Sequence, residues 1–151
     1  MNSLLPSRPA GRAAVATALA SAAVFVNVAS AHAATYPVHS FYLPAGATYT
    51  NGTATFYNRS VIVNGVERAE GGECRWTTAY SYAANNKLLD DQSYADSPHC
   101  VAVGGSPENW AFTINLNADQ AGGAAYIVIT FMGMNPDGSG FTSFGSQYID
   151  R

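Results

Sequence analysis

From Tyr36 to the C-terminus, apolar and polar side chains alternate with a period of two, and clusters of Gly, Asn, Pro and Asp break the alternation every eight to twelve residues or so. That rhythm predicts short β-strands joined by tight turns. A strand over Val38 to Leu43 turns at Pro44-Ala45-Gly46, and Asn51-Gly52 opens the next run, Thr53 to Tyr57. Asn58-Arg59-Ser60 interrupts the pattern before Val61-Ile62-Val63, as a bulge or bend would. Asn64-Gly65 then lies between Ser60–Val63 and Val66–Ala69, where Asn-Gly suits the positive φ angles of a two-residue type I′ hairpin turn.

Parity assigns faces to the later strands. In Cys74 to Tyr82, the residues Cys74, Trp76, Thr78, Tyr80 and Tyr82 share one face, which the cysteine and tryptophan mark as inward. Trp110, Phe112, Ile114 and Leu116 alternate with polar or small residues, the pattern of a half-buried strand. Ala125 to Met132 has no polar face and is expected at a sheet centre, covered on both sides or by a partner. A hairpin should join it to Phe141–Ile149. Ala83 to His99 is polar and turn-rich, and admits a short helix over Lys87 to Gln92. About seven or eight such strands imply an all-β fold, a small antiparallel β-sandwich of jelly-roll or immunoglobulin-like type, with a small β-barrel as the alternative.

The N-terminus reads differently. Arg8 and Arg12 precede an apolar stretch, Ala13 to Val28, and Ala31-His32-Ala33 gives the small-x-small pattern of a cleavage site. The expectation is a cleaved signal peptide at 1–33 and one secreted β domain at 34–151, located outside the cell or in a periplasm. Two of the seven basic residues fall before the cut and all ten acidic ones after it, which leaves a net charge of −5. The remaining cations are scattered, which argues against nucleic acid as a partner, and no later stretch is apolar enough to span a membrane. Two cysteines in an exported chain imply a structural disulfide, Cys74 to Cys100.

Candidate chemistry is sparse. His99 could act as a base with Asp90, Asp91 or Asp96 and a hydroxyl from Ser93 or Ser97, although a surface loop explains the same residues. Asn135, Asp137 and Ser139 match the first half of a calcium loop, but position twelve is Ser146 where a glutamate would close the site, so a hairpin turn without metal is expected. Glu67, Glu70 and Glu73 have Arg68 and Arg75 beside them and read as solvated salt-bridge partners. Tyrosines such as Tyr36, Tyr42, Tyr49, Tyr57 and Tyr148 fall near strand ends, and Tyr80, Tyr82, Tyr94 and His99 are the candidate binding residues. No cofactor is implied. These features favour a small secreted protein that binds a protein or surface glycan without chemistry. The alternatives are a small hydrolase using His99 with loop carboxylates, or an inhibitor or toxin presenting residues 83–99.

Overall fold

The computed structural model describes residues 36–93 and 98–151. The expected leader at 1–33 and the residues Tyr94, Asp96 and Ser97 lie outside them. The described chain forms nine strands: β1 (Val38–Ala45), β2 (Thr48–Phe56), β3 (Ser60–Ala69), β4 (Cys74–Tyr82), β5 (Leu88–Ser93), β6 (His99–Cys100), β7 (Glu108–Asn117), β8 (Tyr126–Met134) and β9 (Thr142–Asp150). One antiparallel sheet runs β1-β2-β3-β7. The other runs β5-β4-β8-β9, with β6 paired to β4 beside β5. Packed face to face, they make the expected β-sandwich, with the Cys74–Cys100 disulfide in place.

The two layers stay separate ladders. Along one side, the Tyr42 N–H of β1 donates to Gln147 Oε1 of β9 at 3.2 Å, and along the other the Asn117 N–H of β7 donates to Asp90 Oδ2 of β5 at 2.7 Å. Side chains thus cap backbone groups at the edges, which blunts pairing with further strands.

The Asn-Gly signals do not mark turns. Asn51-Gly52 and Asn64-Gly65 lie inside continuous strands, and Gly52 is the direct cross-strand partner of Gly65. What these glycines supply is room. A Cβ on Gly52 would sit 2.0 Å from the Asn64 carbonyl oxygen, and one on Gly65 would sit 2.6 Å from Cζ of Phe112. The actual turns are Gly46-Ala47, with Gly46 at φ 62°, and the link after Phe56, where the Tyr57 N–H donates to Ser60 O at 2.8 Å.

A strand also replaces the short helix expected over Lys87 to Gln92. After a tight turn in which Asn86 takes a φ of 64°, β5 pairs antiparallel with β4 as an edge strand, and its polar residues face water.

Strand β8 does sit between two neighbours, β4 and β9, with Ile127, Ile129 and Phe131 fully buried. Ile127 and Ile129 cluster with Ala54, Phe56, Val61, Val63, Ile114 and Leu116 of the first sheet. Fully burying an aliphatic or phenyl side chain of this kind contributes roughly 1.5–3 kcal/mol, so this cluster is the main source of cohesion.

The face assignment of β4 is inverted. Arg75, Thr77, Ala79 and Ser81 point between the sheets and are buried, whereas Trp76, Tyr80 and Tyr82 are only partly covered on the outer face. The physical reason is that the opposite sheet satisfies the polar groups. Ser81 Oγ donates to Asn117 O at 2.9 Å and Thr77 meets Thr50 and Glu67, so a polar stripe can be buried without loss of hydrogen bonds. Cys74 shares the parity of the outer face, and the disulfide joins neighbouring strands β4 and β6 beside the core.

Candidate binding site

At the end of the sandwich where β4 begins and β3 finishes, the interior is polar. Glu67 of β3 is fully buried, which overturns its reading as a solvated salt-bridge partner. In a continuous strand Glu67 keeps the parity of Val61 and Val63 and points inward. Thr77 lies 2.9 Å from Glu67 Oε2 and 2.8 Å from Thr50 Oγ1. Having one proton, the Thr77 hydroxyl donates to one of these two oxygens at a time. The other oxygen, Oε1, sits 2.7 Å from His99 Nδ1. Burial pushes the Glu67 carboxyl above its ordinary value, against the lowering influence of His99 and Thr77.

His99 is set in place from three sides. The disulfide at Cys100 pins the two-residue strand that carries it, pairing with Arg75 fixes its register on β4, and the Trp110 ring stacks on the imidazole at 4.7 Å and 8°. Trp110 is the cross-strand partner of Glu67, so acid, imidazole and indole form one assembly. Among the described residues, the acid paired with His99 is Glu67. Asp90, one of the loop acids expected near it, accepts the Asn117 N–H instead.

Beside this assembly Arg75 is nearly buried, again unlike a solvated partner. Its Nε donates to Thr48 Oγ1 at 3.3 Å, Nη1 to Cys74 O at 2.9 Å, and Nη2 pairs with Glu73 Oε1 at 2.7 Å. The guanidinium lies 4.5 Å over the Phe144 ring. A β-bulge explains that contact: Phe131 pairs with Gly145 and Met132 with Ser143, which leaves Phe144 as the extra residue. Its ring thereby reaches Arg75 and lies 5.7 Å from that of buried Phe131. A cleft of about 140 Å³ opens here, lined by Glu73, Arg75, Gly133, Asn135, Thr142 and Phe144 among others.

The outer face of the second sheet carries a concentration of aromatic side chains. In register across the sheet, Tyr82 faces Tyr126, and Tyr80 faces Val128, which faces Tyr148. The Tyr82 and Tyr126 rings stack at 4.9 Å, Tyr148 lies 6.3 Å from Tyr126, and Trp76 meets Phe141 edge to face at 5.8 Å. Tyr148 is 72% exposed and Phe141 69%. The Tyr82 hydroxyl is held above its ordinary pKa, first by partial burial and then by the neighbouring tyrosines and Asp91.

Of the residues singled out from sequence, Tyr80 and Tyr82 thus share one surface, and His99 lies between the sheets, away from them. Tyr94 is outside the described residues. Asn135, Asp137 and Ser139 are engaged with one another: Asp137 Oδ1 accepts from Ser139 N at 2.9 Å and Ser139 Oγ at 2.6 Å, while Asn135 Nδ2 donates to Ser139 Oγ at 3.2 Å. These bonds hold the Asp137 carboxyl below its ordinary pKa and build the β8–β9 turn. Among the described residues, no three His, Cys, Asp or Glu side chains gather as a metal site would require, and no helix is long and apolar enough to cross a membrane. Compared with protein-family models, with curated proteins and with solved structures, the chain finds no match.

Sequence reasoning missed Glu67 and Trp110 as the partners of His99, and Arg75 and Phe144 beside them. For Glu67 the signal was present, since its parity with Val61 and Val63 places it inside once Asn64-Gly65 is read as strand. For Phe144 there was none, because the bulge exists only in the pairing with β8.

Proposed function

We propose that the protein is a secreted, non-catalytic binding protein that recognises a protein or surface glycan through the aromatic outer face of β4, β8 and β9. The observation that carries this reading is the register that lays Tyr80, Tyr82, Tyr126 and Tyr148 side by side on a half-exposed sheet face. Exposed aromatic rings give large contact area at small conformational cost, and they suit both sugar faces and protein surfaces. The disulfide agrees with an oxidising compartment.

Pull-down from the native extracellular fraction, run alongside a glycan array, tests the reading. Tyr82→Ala with Tyr126→Ala should abolish capture and leave the circular dichroism unchanged. Capture that survives both substitutions would refute the aromatic face as the recognition surface.

The 2.7 Å pairing of Glu67 with His99 favours one second reading, a small hydrolase in which His99 is the base and Glu67, not a loop acid, orients it. Replacing His99 with Ala separates the two, because a binder keeps its partner and a hydrolase loses most of its rate.

A further inference from the structure

The cleft at Arg75 is built with more care than a gap between loops requires. Gly133 faces Arg75 across the β4–β8 pair, and a Cβ there would stand 2.5 Å from the Phe144 ring and 2.7 Å from Arg75 Nη1. Three positions are therefore mutually fitted: a glycine that leaves space, a bulge that reaches the space with a ring, and a guanidinium laid across that ring.

The hydrogen-bonding capacity left over in the cleft is specific. Of the five N–H bonds of Arg75, Nε, Nη1 and Nη2 each commit one to the acceptors Thr48, Cys74 and Glu73. Each terminal nitrogen keeps one more N–H for which the described residues offer no acceptor. Opposite charge is present too, in the Glu73 carboxylate. Asn135 uses its Nδ2 on Ser139 and retains Oδ1 as an acceptor, and Thr142 donates its hydroxyl proton to Gly140 O, so its oxygen lone pairs can still accept. A ligand must then accept from Arg75 and donate to Glu73 or Asn135 within a space of about 140 Å³. A simple carboxylate has no proton to donate and would face Glu73. An ammonium would face Arg75. Two adjacent hydroxyls on a saturated ring both donate and accept, and the ring's C–H surface suits Phe144.

We infer that the cleft between the β8–β9 turn and the start of β4 is a sugar subsite that grips a vicinal diol of one neutral pyranose through the Arg75–Glu73 pair. The inference rests on the binding reading above and names its ligand class. The pyranose could be a free sugar or the terminal residue of a longer glycan, and the chemistry recognised is the same.

The test is an amide chemical-shift titration of the full chain with the methyl glycosides of glucose, mannose and galactose, with acetate and acetamide as controls, and a glycan array in parallel. At least one glycoside should saturate shifts at Gly133, Asn135 and Thr142. Glu73→Gln, and separately Asn135→Ala in the exposed turn, should each weaken binding about tenfold while preserving the remaining spectrum. Binding of the glycoside alone identifies free sugar as sufficient, and array binding that needs a longer chain identifies a glycan terminus, provided the same two variants lose it. No shift with any glycoside and no variant-sensitive array signal would overturn the inference. So would shifts confined to the tyrosine face, which would leave the binding reading standing, or equal shifts with acetate or acetamide, which would assign the cleft to another ligand class. Tyr82→Ala should leave the cleft shifts intact, so that failure of the outer face and failure of the cleft are read separately.

Discussion

The two ends of the interior are equally dry and chemically opposite. At one end Phe56, Val61, Leu116 and Ile127 are at most 1% exposed and belong to the apolar cluster of the core. At the other, Thr50, Glu67 and Thr77 are fully buried as well, with Arg75 and Thr48 close behind, and each finds its partners across the sheets. The first end follows from area removed from water. Nothing of the kind explains the second, because well-packed hydrophobic residues in place of a buried ionic cluster are often neutral or stabilising. What the polar end provides is fixed geometry. His99 and Arg75 can occupy few positions once their partners are specified, and both border the cleft end of the molecule.

That contrast can be broken experimentally, starting where the effect is largest. Phe56→Ala should lose about 3–5 kcal/mol in urea unfolding, because it leaves a cavity at a fully buried position. Reducing the disulfide should cost roughly 3–4 kcal/mol in the chain-entropy view and, unlike Phe56→Ala, should change tryptophan fluorescence early as His99 leaves Trp110. Fluorescence that stays native until global unfolding would show that β6 does not depend on the bond. His99→Ala should lose about 2–3 kcal/mol near neutral pH by stranding the Glu67 carboxylate, and the loss should shrink in acid as the carboxyl takes up its proton.

Glu67→Gln should have the smallest effect and the most telling sign. The Glu67 pKa is raised by burial, so its contribution is fully present below the unfolded value of about 4.5 and is lost as pH rises through the folded value. Relative to Glu67→Gln, the native protein should therefore lose stability as pH rises above the ordinary carboxylate range. A native protein that gains on the variant over that rise would mean that His99 outweighs desolvation.

The apolar end was legible in the sequence and the polar end was not. Ile114 and Leu116 alternate with polar residues, and Ile127 to Phe131 lack a polar face, which is enough to place them. For β4 the parity was readable but its direction was not. Cys74 and Trp76 look more suited to an interior than Arg75 and Thr77, and only the partners on β2 and β3 reverse the preference. Asn64-Gly65 misled for a related reason. A glycine chosen for close approach and a glycine chosen for positive φ are the same letter, and treating it as a turn broke the phase that would have carried Glu67 inside. The outer tyrosines were named only in part, since Tyr126 comes beside Tyr82 only through the β4–β8 register.

The facing Asn51-Gly52 and Asn64-Gly65 pairs carry a consequence for chemical ageing. Asparagine followed by glycine deamidates readily where the backbone is free to fold back and let the glycine nitrogen attack the side-chain amide. Here both dipeptides are held extended and paired in the middle of a sheet. Isoaspartate should therefore form at Asn51 and Asn64 in denaturant and scarcely at all in the folded protein, which makes these two bonds a covalent clock that runs only while the sandwich is open.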